Sequence, residues 1–337
     1  MMAKRVIPVL LAVMLGLTLS ILWLRHNLHK PYQALSLATL AGAGNMAYAL
    51  NDQGQVVGWT RTLERNMHAC LWEQGHIQDL GTLGGQISIA CALNDKGQVV
   101  GWSKSSHFTT RAFLWQQGRM QDLGTLGGRE SLAFGINEAG QIVGSAQLPD
   151  GDRHACLWEQ GHIRDLGTLG GRFSWAYAIN ESGHIVGEAQ TRKGWCHAFL
   201  YVATGMLDLG TLGGTYSAAY AINAADEVVG AADTTDQDLH AFRYAKGRME
   251  DIHPQEAIGS EAKAINDAGL IAGTLQNLDL RDVAFLIRGQ QTVKLNTLID
   301  GRMGGPVTEA RAINNRNQIA ATIDQKQEFS ALLLFLR

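Results

Sequence analysis

The sequence predicts an all-β protein, a seven-bladed β-propeller with four strands in each blade. The main observation is an asparagine that recurs at Asn51, Asn94, Asn137, Asn180, Asn223, Asn266 and Asn314. The first six are 43 residues apart, and the seventh follows after 48. A fixed period of this size indicates a repeat architecture, and four short strands per period are typical of a propeller blade. No apolar pattern with a helical period appears, which disfavours a helical solenoid.

Four strands are predicted in the first copy, at residues 46–51, 55–58, 68–72 and 76–80, with an irregular segment at 60–67. The turn between the first two strands has one position that is always Gly, Asp or Asn: Gly54, Gly97, Gly140, Gly183, Asp226, Gly269 and Asn317. These residue types tolerate positive φ best, so a left-handed residue is expected there. The recurring asparagine opens this turn. We expect its side chain to hydrogen-bond within the turn and to have no catalytic role.

The two ends of the repeat region complement each other. The last copy stops after its third strand, at residues 329–337, and residues 35–40 form a fourth strand that precedes the first blade. We expect these segments to pair, because that pairing covers strand edges that β proteins must protect. The predicted ring is therefore closed by the N-terminal strand and the C-terminal blade.

Residues 1–30 are predicted to be a membrane anchor with a short linker, and residues 31–337 to be the repeat domain. Residues 6–24 are uncharged and follow Lys4 and Arg5. A transmembrane helix of this length spans about 28 Å, close to the ~30 Å of a bilayer core. A cleaved signal peptide is the alternative. The repeat domain is expected outside the cytoplasm, periplasmic or at the cell surface if anchored, and secreted if the segment is cleaved.

Charge and cysteine content exclude some classes of function. The chain has 28 Lys and Arg against 31 Asp and Glu, which disfavours a nucleic-acid partner. Four cysteines, Cys70, Cys91, Cys156 and Cys196, show no paired framework. Cys70 and Cys156 occupy the same register position and are expected to be buried apolar residues. No cofactor and no metal site are expected.

Several strings in the chain resemble the extracellular HAF repeat family. They are His-Ala-Phe-Leu at 197–200, His-Ala-Cys-Leu-Trp at 68–72 and 154–158, and Asp-Leu-Gly-Thr-Leu-Gly-Gly at 79–85, 122–128, 165–171 and 208–214. The resemblance covers nearly all of residues 36–337. It implies a β-propeller-like, extracytoplasmic repeat protein, and it implies no particular activity or ligand.

Three recurring features are interpreted as structural. The glycine-rich string leads into a strand and not into a helix, so a crossover turn is expected instead of a phosphate loop. A histidine recurs at His68, His154, His197 and His240, with Arg111 in the second copy. Equivalent residues lie far apart around a ring, so each is expected to hydrogen-bond a neighbouring strand or turn. A column of Trp72, Trp115, Trp158, Tyr201 and Tyr244 is interpreted as packing between blades.

The candidates for function are residues that interrupt a column. On the predicted inner strands, Lys263 and Arg311 replace aromatic residues or cysteine, and Glu261 and Glu309 stand two positions before them. Two hypotheses stay open for these four residues. They are a structural salt-bridge cluster or a polar ligand site beside the channel.

A second candidate lies in the segments between the second and third strands, which vary most from copy to copy. These segments share one predicted face with the crossovers, and variable loops on a rigid scaffold often bind partners. Arg192, Lys193 and Trp195 in the fourth copy are the candidate contacts.

The sequence therefore predicts an extracytoplasmic, membrane-tethered binding scaffold for a protein, peptide or glycan. The alternative is a hydrolase or lyase that uses Glu261 or Glu309 near the channel of blades six and seven. Such an enzyme needs a raised carboxylate pKa, which the neighbouring cations oppose. A purely structural or assembly role is the third possibility. No Ser/His/Asp, Cys/His or HExxH pattern stands out, so no catalytic residue is assigned.

Overall fold

The computed structural model describes residues 32–41, 44–300, 304–325 and 328–336. Within these ranges the chain is all-β, with 28 strands and one 3-10 turn at Leu295–Thr297. The predicted all-β class is confirmed. The predicted anchor at residues 6–24 lies outside the described residues. Over the residues that are described, no helix has the length and apolar character to cross a bilayer.

The strands follow the repeats, four to a repeat. The first repeat contains β2 (Asn45–Leu50), β3 (Val56–Arg61), β4 (Met67–Glu73) and β5 (His76–Gly81). The second contains β6 (Gly84–Leu93), β7 (Val99–Ser105), β8 (Thr110–Gln116) and β9 (Arg119–Asp122). The third contains β10 (Ser131–Ile136), β11 (Ile142–Gln147), β12 (Arg153–Glu159) and β13 (His162–Gly167). The fourth contains β14 (Gly170–Ile179), β15 (Ile185–Thr191), β16 (Cys196–Val202) and β17 (Gly205–Asp208).

The remaining three repeats follow the same order. The fifth contains β18 (Gly213–Ile222), β19 (Val228–Thr234), β20 (Leu239–Ala245) and β21 (Arg248–Asp251). The sixth contains β22 (Ala257–Ile265), β23 (Ile271–Asn277), β24 (Asp282–Arg288) and β25 (Gln291–Lys294). The seventh contains β26 (Val307–Ile313), β27 (Ile319–Gln325) and β28 (Glu328–Leu336), together with β1 (Tyr32–Ser36) from the start of the domain.

The strands of each repeat pair antiparallel in chain order, and β1 completes the sheet of the seventh repeat. β1 pairs with β28, from Tyr32 opposite Leu336 to Ser36 opposite Leu332. This strand was predicted at residues 35–40, a few residues closer to the C-terminus than its observed position. The difference arises because the chain leaves β28 after Leu37, whose N–H still donates to Ala331 at 3.0 Å, and residues 38–41 already cross over towards β2.

The segment at residues 60–67, predicted to be irregular, is a regular hairpin. The Thr62 N–H donates to the Asn66 carbonyl and the Arg65 N–H donates to the Thr62 carbonyl, both at 2.9 Å. The same two bonds recur in the second to sixth repeats. The fourth residue of this turn has positive φ and is Arg65, Phe108, Gly151, Gly194, Gln237 or Leu280. The sequence varies while the backbone does not, because side chains at an exposed turn are not restricted by core packing.

The recurring asparagines connect each repeat to the next. The Asn51 Oδ1 accepts the N–H groups of Gln53 and Gln55 at 3.2 and 3.0 Å, so the predicted bond within the turn is confirmed. The Asn51 Nδ2 also donates to the carbonyl of Asn94 in the second repeat. All seven asparagines make this second bond, at 2.9 to 3.2 Å, and Asn314 donates back to Asn51. We call these seven bonds the asparagine series.

The histidine column and the glycine-rich string build the crossovers. The His68 Nδ1 lies 2.9 Å from the Asp79 carboxylate, and His154, His197, His240 and Arg111 make the equivalent contact. The Asp79 Oδ1 also accepts the Gly81 N–H at 2.8 Å, and the chain then enters β6. Both predictions, a bond to a neighbouring strand and a crossover turn, are confirmed.

A serine ties each of the first five crossovers to the repeat before it. The Ser88 Oγ accepts the Ala69 N–H at 2.8 Å and donates to the Gly81 carbonyl at 2.6 Å. Between the last and first repeats, Asn45 takes the place of the serine, and its Oδ1 accepts the Ala331 N–H at 2.8 Å.

Apolar cores lie between neighbouring repeats. Val57 and Leu71 of the first repeat pack with Val99 and Phe113 of the second. Ala47 and Val56 of the first repeat likewise pack with Ala320 and Leu333 of the seventh. Each repeat therefore buries its apolar faces against its neighbours, as a repeat unit that cannot bury them alone must do.

Cys70 and Cys156 belong to these cores, as predicted. Cys70 and Cys156 are fully buried, at the position that Phe113 and Phe199 occupy in other repeats. All four cysteines are free thiols. Burial raises the pKa of Cys70 and Cys156 well above the usual thiol value, so both behave as apolar residues.

Candidate binding face

The hairpins between the second and third strands lie at the same end of each sheet as the crossovers. In an antiparallel sheet these two connections fall on one end, and the bridge between Leu83 and Ser105 joins them directly. The asparagine turns lie at the opposite end, where they contact one another from repeat to repeat. We call the surface formed by the hairpins and the crossovers the hairpin face.

Exposed apolar side chains are concentrated on the hairpin face. Of the nine large apolar side chains that are exposed in the described ranges, six stand on or directly beside these hairpins: Leu63, Phe108, Trp195, Leu278, Leu280 and Phe329. Phe108 is 86% exposed and Leu63 is 83% exposed. Single exposed apolar residues are normal, but their concentration on one face makes that face the candidate interaction surface. We call these six residues the apolar tips.

Two of the apolar tips occupy an unfavourable backbone conformation. Phe108 and Leu280 both have φ of 61°, at a turn position that is glycine in the third and fourth repeats, Gly151 and Gly194. A side chain with a Cβ costs about 1–2 kcal/mol in this left-handed region. Neither side chain is buried, so packing within the domain does not offset that cost. The fold alone does not explain why large apolar residues stand here.

The three predicted loop contacts lie together on the hairpin of the fourth repeat. The Lys193 Nζ is 5.0 Å from the centroid of the Trp195 ring, and Trp195 is 6.3 Å from the His197 ring. Arg192 lies against the Gly170 backbone on the adjoining crossover. A cation over an exposed indole contributes about 0.5–1 kcal/mol, enough to favour one orientation of the ring. The structure thus presents Trp195 as an oriented, partly exposed aromatic surface.

The charged residues of the inner strands form two closed ion pairs. The Lys263 Nζ lies 2.5 Å from Glu261, and the Arg311 guanidinium lies 2.7 Å from Glu309. Lys263 also stacks over Tyr220 at 4.4 Å. Each cation therefore neutralises the carboxylate two residues before it in its own strand. This geometry favours the structural salt-bridge hypothesis over a ligand site, and it removes the unpaired carboxylate that the enzyme alternative requires.

Tyr177 and Tyr220 stand in the same inner-strand column, and Tyr177 binds Glu188, a carboxylate that the sequence did not single out. The Tyr177 hydroxyl donates to the Glu188 Oε1 at 2.7 Å, and the Tyr177 ring lies 5.9 Å from the Tyr220 ring. Burial raises the pKa of the Tyr177 and Tyr220 phenols far above the usual tyrosine value. The neighbouring carboxylates, Glu188 beside Tyr177 and Glu261 beside Tyr220, raise it further. Both remain neutral donors at any physiological pH. The sequence carries no signal for Glu188, because it stands on the second strand, in a column where other repeats carry Trp, Ser, Ala or Thr.

Comparisons with known proteins bear on the fold. Neither the protein-family models nor the curated proteins contain a match to this chain. Among solved structures, the chain is similar to YCF48 bound to D1 peptide, with a TM-score of 0.53 and 9% identity over 91% of this chain and 96% of that one. It is also similar to a puromycin hydrolase, with a TM-score of 0.55 and 12% identity over 89% of this chain.

A third similar structure is the acylaminoacyl peptidase of Pyrococcus horikoshii, with a TM-score of 0.52 and 10% identity over 88% of this chain. The match spans only 55% of the puromycin hydrolase chain and 51% of the acylaminoacyl peptidase chain. At these identities the likeness concerns the fold alone. The chain has a propeller-like, all-β fold.

Proposed function

We propose that this chain is a closed, seven-bladed β-propeller whose hairpin face binds a protein, peptide or glycan. The blade count and the closure are supported by the asparagine series, in which the seventh member donates back to the first. The pairing of β1 with β28 and the bond from Ala331 to Asn45 support closure independently. A closed ring leaves the two faces of the domain as its main surfaces for recognition.

The apolar tips carry the proposal for binding. Six exposed apolar side chains from five repeats stand on one face, and Phe108 and Leu280 hold an unfavourable backbone conformation there. Burying one such side chain against a partner contributes about 1.5–3 kcal/mol. Several of them together suffice to stabilise a specific complex, with Trp195 and its cation as an aromatic contact of the kind enriched at binding hot spots.

Partner capture with hairpin variants tests this function. We expect the full-length protein to retain a partner that is lost when Leu63, Phe108, Leu278 and Leu280 are all replaced by Asn. The matched control is Leu207→Asn, an exposed apolar residue on β17, outside the hairpins. Capture by the control should equal capture by the parent protein. Undiminished capture by the fourfold variant would remove the hairpin face from consideration.

We also propose that the chain is a member of the HAF repeat family, which the recurring strings His-Ala-Phe-Leu and Asp-Leu-Gly-Thr-Leu-Gly-Gly support.

We propose in addition that residues 6–24 tether the domain to a membrane. Tyr32 pairs with Leu336, at the end of β28 remote from its hairpin. A tether that enters at Tyr32 leaves the hairpin face directed away from its attachment point. Resistance of the protein to alkaline extraction, and loss of that resistance in Leu15→Arg, would support anchoring. Mass spectrometry of the N-terminus distinguishes an anchor from a cleaved signal peptide.

A further inference from the structure

A groove of about 1250 Å³ lies between the fifth and sixth repeats. One wall is the end of β21 and the segment that follows it, with Glu250, Ile252 and Pro254. The other wall is formed by β24 and β25, with Ile287 and Thr292. The groove runs from the crossover at residues 252–256 to the asparagine turns at residues 225–227 and 267–269, and the hairpin loops that carry the apolar tips do not line it.

The groove exists because three apolar columns are interrupted at this one interface. In the second to fifth repeats, a cross-strand pair fills the equivalent space: Trp115–Met120, Trp158–Ile163, Tyr201–Met206 and Tyr244–Met249. In the sixth repeat the pair is Ile287–Thr292. The crossover leucine, present as Leu212 in the preceding crossover, is replaced by Gln255. Each change removes apolar volume from the same place.

The rim of the groove is acidic. It carries five carboxylates: Glu227, Glu250, Asp251, Glu256 and Asp267. Its two permanent cations, Arg243 and Lys294, are both paired with rim carboxylates, Glu227 and Glu256. The rim therefore keeps an excess of three negative charges. The floor is apolar, with Ile252, Ile271, Leu275 and Val293.

His253, which also lines the groove, does not offset this charge near neutral pH. Its Nε2 lies 3.0 Å from the Ala257 carbonyl and its Nδ1 lies 2.8 Å from the Ser260 Oγ. Burial lowers the pKa of His253 below its usual value. The ring is therefore held uncharged, with the proton on Nε2.

We propose that this groove binds an extended peptide segment of a partner protein in which basic and apolar residues alternate. Alternate side chains of an extended peptide point to opposite sides, so basic groups reach the acidic rim while apolar groups reach the floor. The groove exceeds the ~300–1000 Å³ of typical small-molecule pockets. Within the described sheets, β25 pairs only with β24, which leaves one edge available for main-chain bonds to an added strand.

A labelled peptide tests the proposal. Full-length protein is titrated with a fluorescent ten-residue peptide of alternating Lys and Leu, and separately with one of alternating Glu and Leu. We expect saturable binding of the Lys peptide that weakens as salt is raised, and no binding of the Glu peptide. Equal binding of both peptides, or no binding of the Lys peptide, would overturn the proposal.

Filling the groove provides the decisive variant. Ile287→Trp with Thr292→Met installs the pair found at the equivalent site of the second repeat, so it should fold as well as the parent protein does. We expect it to bind the Lys peptide at least tenfold more weakly. The matched control is Tyr244→Trp with Met249→Ile, the pair found in the third repeat, which exchanges volume at the preceding interface and should bind as the parent does.

Two further variants keep the test open if the filled protein does not fold. Glu250→Lys changes only the charge of an exposed rim residue and should weaken Lys-peptide binding severalfold. Unchanged Lys-peptide binding in Glu250→Lys, or in a filled variant that folds, would remove the groove as the site. The fourfold hairpin variant should bind the Lys peptide normally, which separates this proposal from the function assigned to the hairpin face.

Discussion

The side chain of Asn314 donates a hydrogen bond of 2.9 Å to the carbonyl oxygen of Asn51, a residue 263 positions earlier in the chain. The same amide uses its oxygen locally, because the Asn314 Oδ1 accepts the N–H groups of Arg316 and Gln318 at 3.0 and 2.8 Å. One buried side chain thus shapes its own turn and joins the last repeat to the first. No other residue type supplies both an acceptor and a donor in this short, planar form.

Replacing Asn314 by Asp separates these two roles. The carboxylate keeps the acceptor for the turn and loses the donor to the Asn51 carbonyl and to the Gln318 Oε1, so the free energy of unfolding should fall by about 1–3 kcal/mol. Asn314→Ala should lose more, because the turn also loses its acceptor. Urea denaturation measures both, with Asn66→Asp in a hairpin as the control. An Asn314→Asp protein as stable as the parent would show that the donated bonds contribute nothing.

Phe108→Asn should stabilise the domain and weaken partner binding at the same time. Asn tolerates positive φ, and the exposed Phe108 side chain has little packing to lose. We expect the free energy of unfolding to rise by about 0.5–1 kcal/mol. Thermal denaturation and partner capture should be measured on the same preparation. A loss of stability would mean that Phe108 packs within the domain, and its role as an apolar tip would have to be abandoned.

A double-mutant cycle on Glu309 and Arg311 tests the structural account of the inner-strand charges. Both side chains are about three-quarters buried and lie 2.7 Å apart. Glu309→Gln, Arg311→Met and the double variant should give a coupling of about 1 kcal/mol in unfolding experiments. Partner capture should not change. Zero coupling with altered capture would instead favour a ligand site at the channel.

Stability should depend on the protonation of His253. Because burial lowers its folded pKa below the usual 6.5, the unfolded chain takes up the proton first as the pH falls. The contribution of His253 is therefore complete above about pH 6.5 and is lost as the pH drops through the folded pKa. His253→Gly introduces the residue that stands at the equivalent position, Gly210, in the preceding crossover. It should reduce the slope of the free energy of unfolding against pH. His107→Ser, at an exposed hairpin, should not.

The sequence was most informative where a residue acts within its own turn or repeat. The left-handed turn position, the bond from Asn51 to its own turn and the burial of Cys70 were all predictable from local chemistry. The hydrogen bond from the Asn51 side chain to Asn94 was not predictable, because its acceptor is a backbone carbonyl, which every residue has. The hairpin at residues 60–67 was not predictable, because its sequence varies from copy to copy while its backbone does not.

The candidate sites were predictable only in part, and for a similar reason. Arg192, Lys193 and Trp195 share one hairpin, so their proximity followed from their positions in the chain. The apolar tips come from several hairpins whose shared face was predicted from the sequence, but which of their apolar side chains are exposed is shown only by the fold. The groove depends on Gln255, Ile287 and Thr292 meeting at one interface. Each interrupts its column separately in the sequence, and nothing local indicates that the three losses of volume coincide.

The asparagine series also bears on how a protein of this kind can lengthen. Every link joins only two successive copies, and the link from Asn266 to Asn314 keeps its 3.0 Å length although 48 residues separate the pair. Extra residues between two copies are therefore accommodated in the connecting segment. Duplication of one entire unit would supply a new donor together with a new acceptor. Duplication of a fragment would leave an amide buried without its acceptor, so tandem growth is restricted to whole units.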